Sequence, residues 1–477
     1  MMTPDWLSVA LLLFYLSGIV FAADAIWQGR TVQGTIAWTL TLLFMPFIGI
    51  PLYALFGTRK FHGYRQARRH GDKKLNALGQ QIRNNLQPFS SPADSFTRPF
   101  YHFFRLPMTA NNQCQLLIDG TNTFQSMHQA IAAATHSICV QFYIVRDDAT
   151  AQAMAELLIE RAQAGVRVYF LYDEIGSHQL SRRFIQQLKQ GGIRVSRFNS
   201  WQVRHRLQIN FRNHRKLLLI DGEHAFVGGL NLANEYQSHG WRDTHVRISG
   251  PAALPFQLSF CEDWYWATQY LPQLQWQARI ASAQIPTSAS GQVQPQTSDA
   301  CEVMCINSGP ADIQESASLS FTHMIHQAQK RVWIATPYFI PDVPTVTALR
   351  LAAARGLDIR IIVPQKTDRW FVKHAMQNYV DELLKSGIRF YQYQTGFMHQ
   401  KVLLIDQQWS CIGSANFDNR SLRINFEANA LIRDIRFAKQ VENMLKEDFK
   451  QTIEAKPEKS ISQRLLNKLL RLTAPLL

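Results

Sequence analysis

The feature that most limits how this 477-residue chain can fold is one polar pattern written twice. Residues 214–231 read HRKLLLIDGEHAFVGGLN, and residues 399–416 read HQKVLLIDQQWSCIGSAN. His214, Lys216, Asp221, Gly228 and Asn231 recur as His399, Lys401, Asp406, Gly413 and Asn416 at a constant offset of 185. A chain built this way folds as two related halves. Two identically spaced sets of His and Lys point to one site assembled from both.

The spacing has a physical reading. Side chains two apart on a strand share a face, so each His and Lys emerge side by side. The runs LLLI after Lys216 and VLLI after Lys401 read as buried strand interior. Asp221-Gly222 signals a tight turn and Asp406 stands at the matching position, so each motif reads as a hairpin with His, Lys and Asn at one mouth of a sheet. Lys supplies a compact cation and Asn supplies amide donors, both suited to phosphate oxygens. Imidazole serves as nucleophile or as general acid and base near neutral pH. The expected substrate is a phosphodiester. Asp221 and Asp406 complete the candidate catalytic pattern, and they read better as residues securing the turn, and through it the Lys, than as proton donors.

The duplication extends beyond the motifs. In the first half, helix-like segments 122–135, 149–164 and 179–190 alternate with HSICVQFYIV, VRVYFLYD and GIRVSRF. In the second, 315–329, 343–355 and 370–386 alternate with RVWIATPYFI, LDIRIIVP and GIRFYQY. Apolar runs between helices predict an α/β fold with a mostly parallel sheet covered on both sides. Gly192-Ile193-Arg194 and Gly387-Ile388-Arg389 match at an offset of 195, so the first half carries ten extra residues before His214. Those fall in 196–213, rich in Arg and aromatics, which suits a headgroup pocket, a membrane contact or a solvated loop. Residues 281–300 have linker composition.

The paired H-x-K-x4-D-x6-G-(S/G)-x-N pattern resembles that of the phospholipase D superfamily. ATPYFIPD (335–342), YQTGFMHQK (393–401) and GSANFDNRSLRINFE (413–427) are similar to bacterial cardiolipin synthases, and the resemblance covers essentially the whole chain. It implies two tandem phospholipase D-like domains, with mixed, mostly parallel sheets flanked by helices, forming one pseudo-twofold catalytic unit. It implies no metal and no organic cofactor. It also implies a covalent phosphohistidine on one His, with the other protonating the leaving alcohol and then deprotonating the acceptor. The family habit makes His214 the nucleophile, although the symmetry of the sequence assigns neither role. Lys216, Lys401, Asn231 and Asn416 would stabilise the phosphoryl oxygens. Each His also needs an orienting carboxylate. Asp243 and Glu427, at 12 and 11 residues after Asn231 and Asn416, are the candidates, with a plain salt bridge as the other reading. One departure is Gly229 where the second motif has Ser414, which puts a hydroxyl contribution from the first half in doubt. The implied reaction joins two phosphatidylglycerol molecules into cardiolipin and glycerol. Hydrolysis by a membrane-bound phospholipase D, or phosphatidylethanolamine as a donor, are the alternatives.

The termini bear on where this happens. Residues 6–23 and 31–57 carry no charge, and each approaches the length that crosses a bilayer. They predict a transmembrane helical hairpin, with Pro46 and Pro51 bending its second helix. A cleaved signal peptide is the competing reading of the first segment, but Met1 to Asp5 holds no Lys or Arg. Residues 59–74 hold seven Lys or Arg and one Asp, whereas 24–34 has only Asp24 and Arg30, so the basic run and all that follows are expected on the cytoplasmic side of a bacterial inner membrane. The same run suits anionic headgroups, as does the net charge of +15. That charge also suits nucleic acid, but a nuclease has no use for two membrane helices, so no nucleic-acid partner is expected. The expected partners are phosphatidylglycerol, other anionic phospholipids and the membrane, and a homodimer is left open. Six cysteines without C-x2-C pairs fit free thiols in a reducing compartment. Near the C-terminus, Ile461, Leu465, Leu469 and Leu472 form one helical stripe opposite Arg464, Lys468 and Arg471, suiting an interfacial helix or one packed on the protein. The expected organisation is 1–58 membrane helices, 59–109 basic linker, 110–280 first domain, 281–300 linker, 301–455 second domain and 456–477 amphipathic tail.

Overall fold

The computed structural model describes residues 6–29, 32–57, 72–198, 211–280, 298–312 and 314–474. Most of the basic run, the Arg-rich insertion and the 281–297 linker lie outside them. The chain divides into two compact units, residues 1–66 with 201–211, and residues 67–200 with 212–477.

In the first unit, helix Trp6–Gln28 contains one stretch, Ser8–Gln28, that is long and apolar enough to cross a bilayer. The second apolar segment is not one bent helix. It forms Val32–Phe44 and Pro46–Phe56, separated at Met45, which leaves the helical region (φ −135°, ψ 57°). Pro46 explains the break, because its ring excludes helical geometry at the preceding residue and it begins a helix well. Each piece is shorter than a full span. Tyr53 closes the packing by donating to Asp24 Oδ2 at 2.8 Å.

The second unit is organised by one 15-stranded sheet. From one edge it runs β4 (Arg194–Arg197), β3 (Arg167–Tyr172), β2 (Ser137–Phe142), β5 (Leu217–Ile220), β6 (His224–Gly228), β8 (Thr244–Ser249) and β1 (Thr109–Ile118). It continues as β9 (Ser298–Ser308), β18 (Glu427–Arg433), β16 (Trp409–Gly413), β15 (Val402–Ile405), β10 (Arg331–Ala335), β12 (Asp358–Pro364), β13 (Arg389–Tyr393) and β19 (Thr452–Glu454). The second run repeats the first in reverse, and the halves join where β1 pairs antiparallel with β9. The apolar strands β2, β5 and β15 are buried along their whole length, as expected of a sheet covered on both faces. Helices carry the caps their sequences supply: Asp148, Ser181, Asp342 and Asp434 each accept first-turn N–H groups.

Two expectations need correction. Within this sheet, parallel pairing is confined to the flanks β2-β3-β4 and β10-β12-β13, while the centre is antiparallel. The motifs themselves cause this, since each is a hairpin and a hairpin can only pair antiparallel. The 59–109 stretch is also more than a linker. Helix Asp72–Leu86 buries Leu75, Ile82 and Leu86, the last two against Leu106, Leu254 and Leu258, and helix Arg98–Phe104 sinks Phe100 into the core of the second half. The 456–477 tail contains helix Ile461–Arg471, which lies on helix Trp370–Leu384.

Candidate active site

Each histidine stands one residue pair before its hairpin strand, His214 before β5 and His399 before β15, and each is held by the other half. His214 N–H donates to Phe426 O at 2.9 Å, and His399 N–H donates to Arg242 O at 2.7 Å. The residue after each of those carbonyls is a carboxylate. His214 Nδ1 lies 3.0 Å from both oxygens of Glu427, and His399 Nδ1 lies 2.8 Å from Asp243 Oδ2. The candidate carboxylates are therefore both at the site, but crossed: each serves the histidine of the opposite half. A second crossing is the small parallel sheet of β7 (Trp241–Arg242) and β14 (Phe397–Met398).

With a carboxylate at Nδ1, each neutral imidazole keeps its proton there and leaves the Nε2 lone pair available. Burial favours that neutral form. It brings His214 down to about 4, with Glu427 opposing and Lys216 assisting. Burial, Lys401 and Lys216 hold His399 well below its ordinary value. Lys216 and Lys401 point the way their spacing requires and are buried, each ammonium donating to the carbonyl of its own His at 2.6 and 2.5 Å. Burial lowers Lys401 to about 8 and Lys216 well below its usual range, against the pull of Asp243 and Glu427. Two cations and two carboxylates packed this closely leave a near-neutral nest that an arriving phosphate anion would re-charge.

The Gly229/Ser414 difference has a steric origin. Ser414 Oγ donates to Glu427 Oε2 at 2.5 Å and accepts from Ala428 N–H at 3.0 Å. In the first half the shorter Asp243 brings its carboxylate nearer the chain, and a Cβ on Gly229 would lie 2.0 Å from Asp243 Oδ1. Gly goes with Asp, and Ser goes with Glu. The electrostatics differ accordingly. Burial works to raise Glu427, but His214, Lys216 and the Ser414 hydroxyl hold it below the usual carboxylate range. Asp243 is raised by burial despite Lys401 and the Thr244 N–H.

The remaining candidates are placed less simply. Asn231 donates to Tyr236 Oη at 2.6 Å and accepts from Ile144 N–H at 3.0 Å, while Asn416 donates to Asp418 Oδ2 at 3.0 Å. Both are buried at the motif ends and tie neighbouring loops. Asp221 and Asp406 correct their placement among the catalytic candidates. They lie at the far ends of β5 and β15, about 16 Å along the strand from the lysines. Asp221 accepts the N–H groups of Thr135, His136 and Ser137, and Asp406 those of Gln329, Lys330 and Arg331. Both adopt left-handed backbone angles (φ 55° and 52°), which Asp tolerates in turns. They lock strand ends and do not reach the lysines.

Sequence reasoning missed the layer beneath. Arg215, the x of the first H-x-K, donates to Asp263 at 2.6 Å, to Glu427 O and to Ser308 O. Its counterpart Gln400 donates to Asp448 at 2.8 Å, and Arg242 supplies the missing guanidinium to the same carboxylate at 2.6 Å. Asp263 and Asp448 are 185 apart, so the motif offset would have found them. Aromatic rings wall the histidines: Tyr143 at 5.0 Å from His214, and Trp241, Phe397 and Tyr236 at 5.4, 5.8 and 6.0 Å from His399. Among the described residues no group of three or more His, Cys, Asp or Glu is arranged to hold a metal ion.

Duplicated β/α halves sharing one sheet, with a His and a Lys from each meeting across a pseudo-twofold axis, define the phospholipase D fold. The family described as "Cardiolipin synthase, PLD-like domain" matches residues 127–264 and 321–449, and "Phospholipase_D-nuclease N-terminal" matches 10–57. Cardiolipin synthase A of Pseudomonas aeruginosa (strain PAO1) is 40% identical, with all of this chain and 97% of the relative aligned. Cardiolipin synthase A of Pseudomonas putida (strain KT2440) is 41% identical over all of this chain and 99% of the relative. Among solved structures, phosphatidylserine synthase from Haemophilus influenzae shares the fold, with a TM-score of 0.60 at 16% identity, covering 80% of this chain and 97% of that one. The chain belongs to the bacterial cardiolipin synthase family of the phospholipase D superfamily.

Proposed function

We propose that the protein makes cardiolipin by moving the phosphatidyl group of one phosphatidylglycerol to a hydroxyl of a second, releasing glycerol. The observation that carries this reading is the pair of buried histidines with crossed carboxylates, in a chain whose full length aligns with cardiolipin synthases. The entering phosphate anion favours protonation of His399 at Nε2; His214 Nε2 then attacks phosphorus, the P–O bond to the leaving glycerol breaks, and the leaving oxygen takes that Nε2 proton from His399. The second lipid's hydroxyl then gives its proton back to His399 and displaces His214, so the P–N bond breaks as the new P–O bond forms. The more firmly ionised Glu427, doubly bonded to His214 and backed by Ser414, supports the nucleophilic role there, because it stabilises the cation that forms with the P–N bond. Lys216 and Lys401 neutralise the phosphoryl oxygens. Both histidines come from one chain, so the site does not require a homodimer.

The family and the apolar N-terminal helix make this a membrane-anchored protein. Two passes, with the catalytic unit on the cytoplasmic side, are part of the proposal, and the basic run after residue 58 supports that orientation. The test supplies the purified full chain with phosphatidylglycerol labelled in its headgroup. One glycerol released per cardiolipin formed is expected, and His399→Ala abolishes both. Phosphatidic acid as the sole lipid product overturns the transferase reading.

A further inference from the structure

The C-terminal helix Ile461–Arg471 is docked back to front. The face it turns to the catalytic unit carries Gln463, Asn467 and Arg471, with Leu466 and Leu470 half-buried beside them. Asn467 is fully buried with its Oδ1 3.0 Å from His374 Nδ1, and Gln463 Nε2 lies 2.9 Å from the same nitrogen. Arg471 donates to Asn378 at 2.8 Å and Glu382 at 2.5 Å, its guanidinium 4.5 Å from the centre of the Tyr379 ring. The apolar stripe faces away, with Ile461 and Leu472 each 77% exposed, Leu465 59% and Leu469 56%. A surface helix of a soluble protein does the reverse. Arg464 and Lys468 are exposed beside the stripe.

We propose that this helix is a second membrane anchor, lying in the bilayer interface through Ile461, Leu465, Leu469 and Leu472 and holding the rim of the active site against the lipid headgroups. Charge complementarity selects a lipid surface as the occupant, since the flanking Arg464 and Lys468 suit anionic headgroups. The link to the rim is geometric. His374 meets Gln463 and Asn467, while Asn378 and Glu382 meet Arg471, so this helix and helix Trp370–Leu384 run in the same direction. Trp370, 64% exposed, therefore stands at the Ile461 end, as interfacial tryptophans do. Two residues earlier, Asp368 accepts from Tyr338 Oη at 2.8 Å and lies within electrostatic reach of Lys401.

The experiment uses the full chain in phosphatidylglycerol-containing vesicles. All six natural cysteines are buried, so a Leu469→Cys variant takes an environment-sensitive fluorophore selectively. Quenching by lipids carrying a nitroxide at a shallow acyl position, with protection from aqueous iodide, is the expected result. Iodide quenching without lipid quenching overturns the proposal, as does energy transfer between labelled copies with no lipid quenching, which would make the stripe a contact between chains. The functional arm rests on the transferase reading. Leu465→Glu/Leu469→Glu lowers turnover of vesicle phosphatidylglycerol at least tenfold and leaves monomeric short-chain phosphatidylglycerol unaffected. An equal fall on both substrates makes the stripe merely structural and overturns the anchor. Lipid quenching in a chain that makes no cardiolipin would sink the transferase reading and leave the anchor standing.

Discussion

Gly229→Ser is the sharpest test of how the two halves share the site. The new Cβ would lie 2.0 Å from Asp243 Oδ1 and 2.7 Å from its Cγ. The backbone is fixed by the β6–β8 pairing, so the carboxylate must yield by about 1 Å or more to reach ordinary contact distance. It is held by Thr244 N–H at 2.7 Å and His399 at 2.8 Å, and a move of that size takes the His399 contact beyond hydrogen-bonding range. Overpacking costs about 1–3 kcal/mol of stability, less than the roughly 5–15 kcal/mol typical of folded domains. Losing the carboxylate that orients a catalytic imidazole costs about 10³–10⁴-fold in rate, as in the serine protease triad, or about 4–5.5 kcal/mol of barrier. The assay is the initial rate of cardiolipin formation by folded protein, with a thermal melt to confirm folding. Gly229→Ser/Asp243→Glu should recover at least tenfold over the single variant, because Ser414 and Glu427 show that this pair fits the same frame with a 2.5 Å hydrogen bond. A single variant within tenfold of the parent, or a double variant no better than the single, would refute the reasoning.

Glu427→Gln should lower transfer by about 10³-fold and disturb the imidazole resonances of His214 in ¹⁵N spectra while leaving those of His399 in place; the opposite pattern would mean the carboxylates are not crossed. The pH profile of kcat/KM should fall on the acid side near 4, where His214 gains a proton, and on the alkaline side it should show a further fall through about 8, where Lys401 loses the proton it keeps at lower pH, beyond the earlier decline as His399 gives up its own. A profile flat to pH 10 would contradict the buried-lysine account. Asp221→Ala removes the acceptor for three backbone N–H groups and should destabilise by about 2 kcal/mol, seen as a lowered melting temperature. Its kcat/KM should stay within threefold, whereas a large loss in stably folded protein would return Asp221 to the chemistry.

Much of this was legible one residue at a time. The period-2 spacing of His and Lys, the apolar runs behind them and the turn at Asp221 are local properties, and they led directly to β5, β6, β15 and β16. The β/α alternation located the flanking strands and helices to within a few residues for the same reason. Pro46 was read as a bend and is a break, because a prolyl ring acts on the residue before it and the remaining helix is too short to resist. The hairpins were read correctly, but the balance of the sheet was set too far toward parallel, because continuous apolar runs report burial on both faces and say nothing of direction. The tail stripe was correctly placed on one face, but a helical wheel cannot tell which face docks.

By itself the sequence determined that there are two equivalent halves, which residue types each brings, and that phosphate chemistry is the use for them. Only the tertiary structure decided the pairing. Asp243 and Glu427 follow Asn231 and Asn416 at comparable spacing, 12 and 11 residues, and nothing local distinguishes a partner within the half from one across it. The choice is made where β1 joins β9 and the loops before Asp243 and Glu427 are delivered to the opposite histidine. Hydrogen bonds between residues some 150–210 positions apart exist only once the sheet has closed. A glycine stands at position 229 for a tertiary reason of shorter range: the β6–β8 pairing within the first half brings the Asp243 carboxylate against the place its Cβ would occupy.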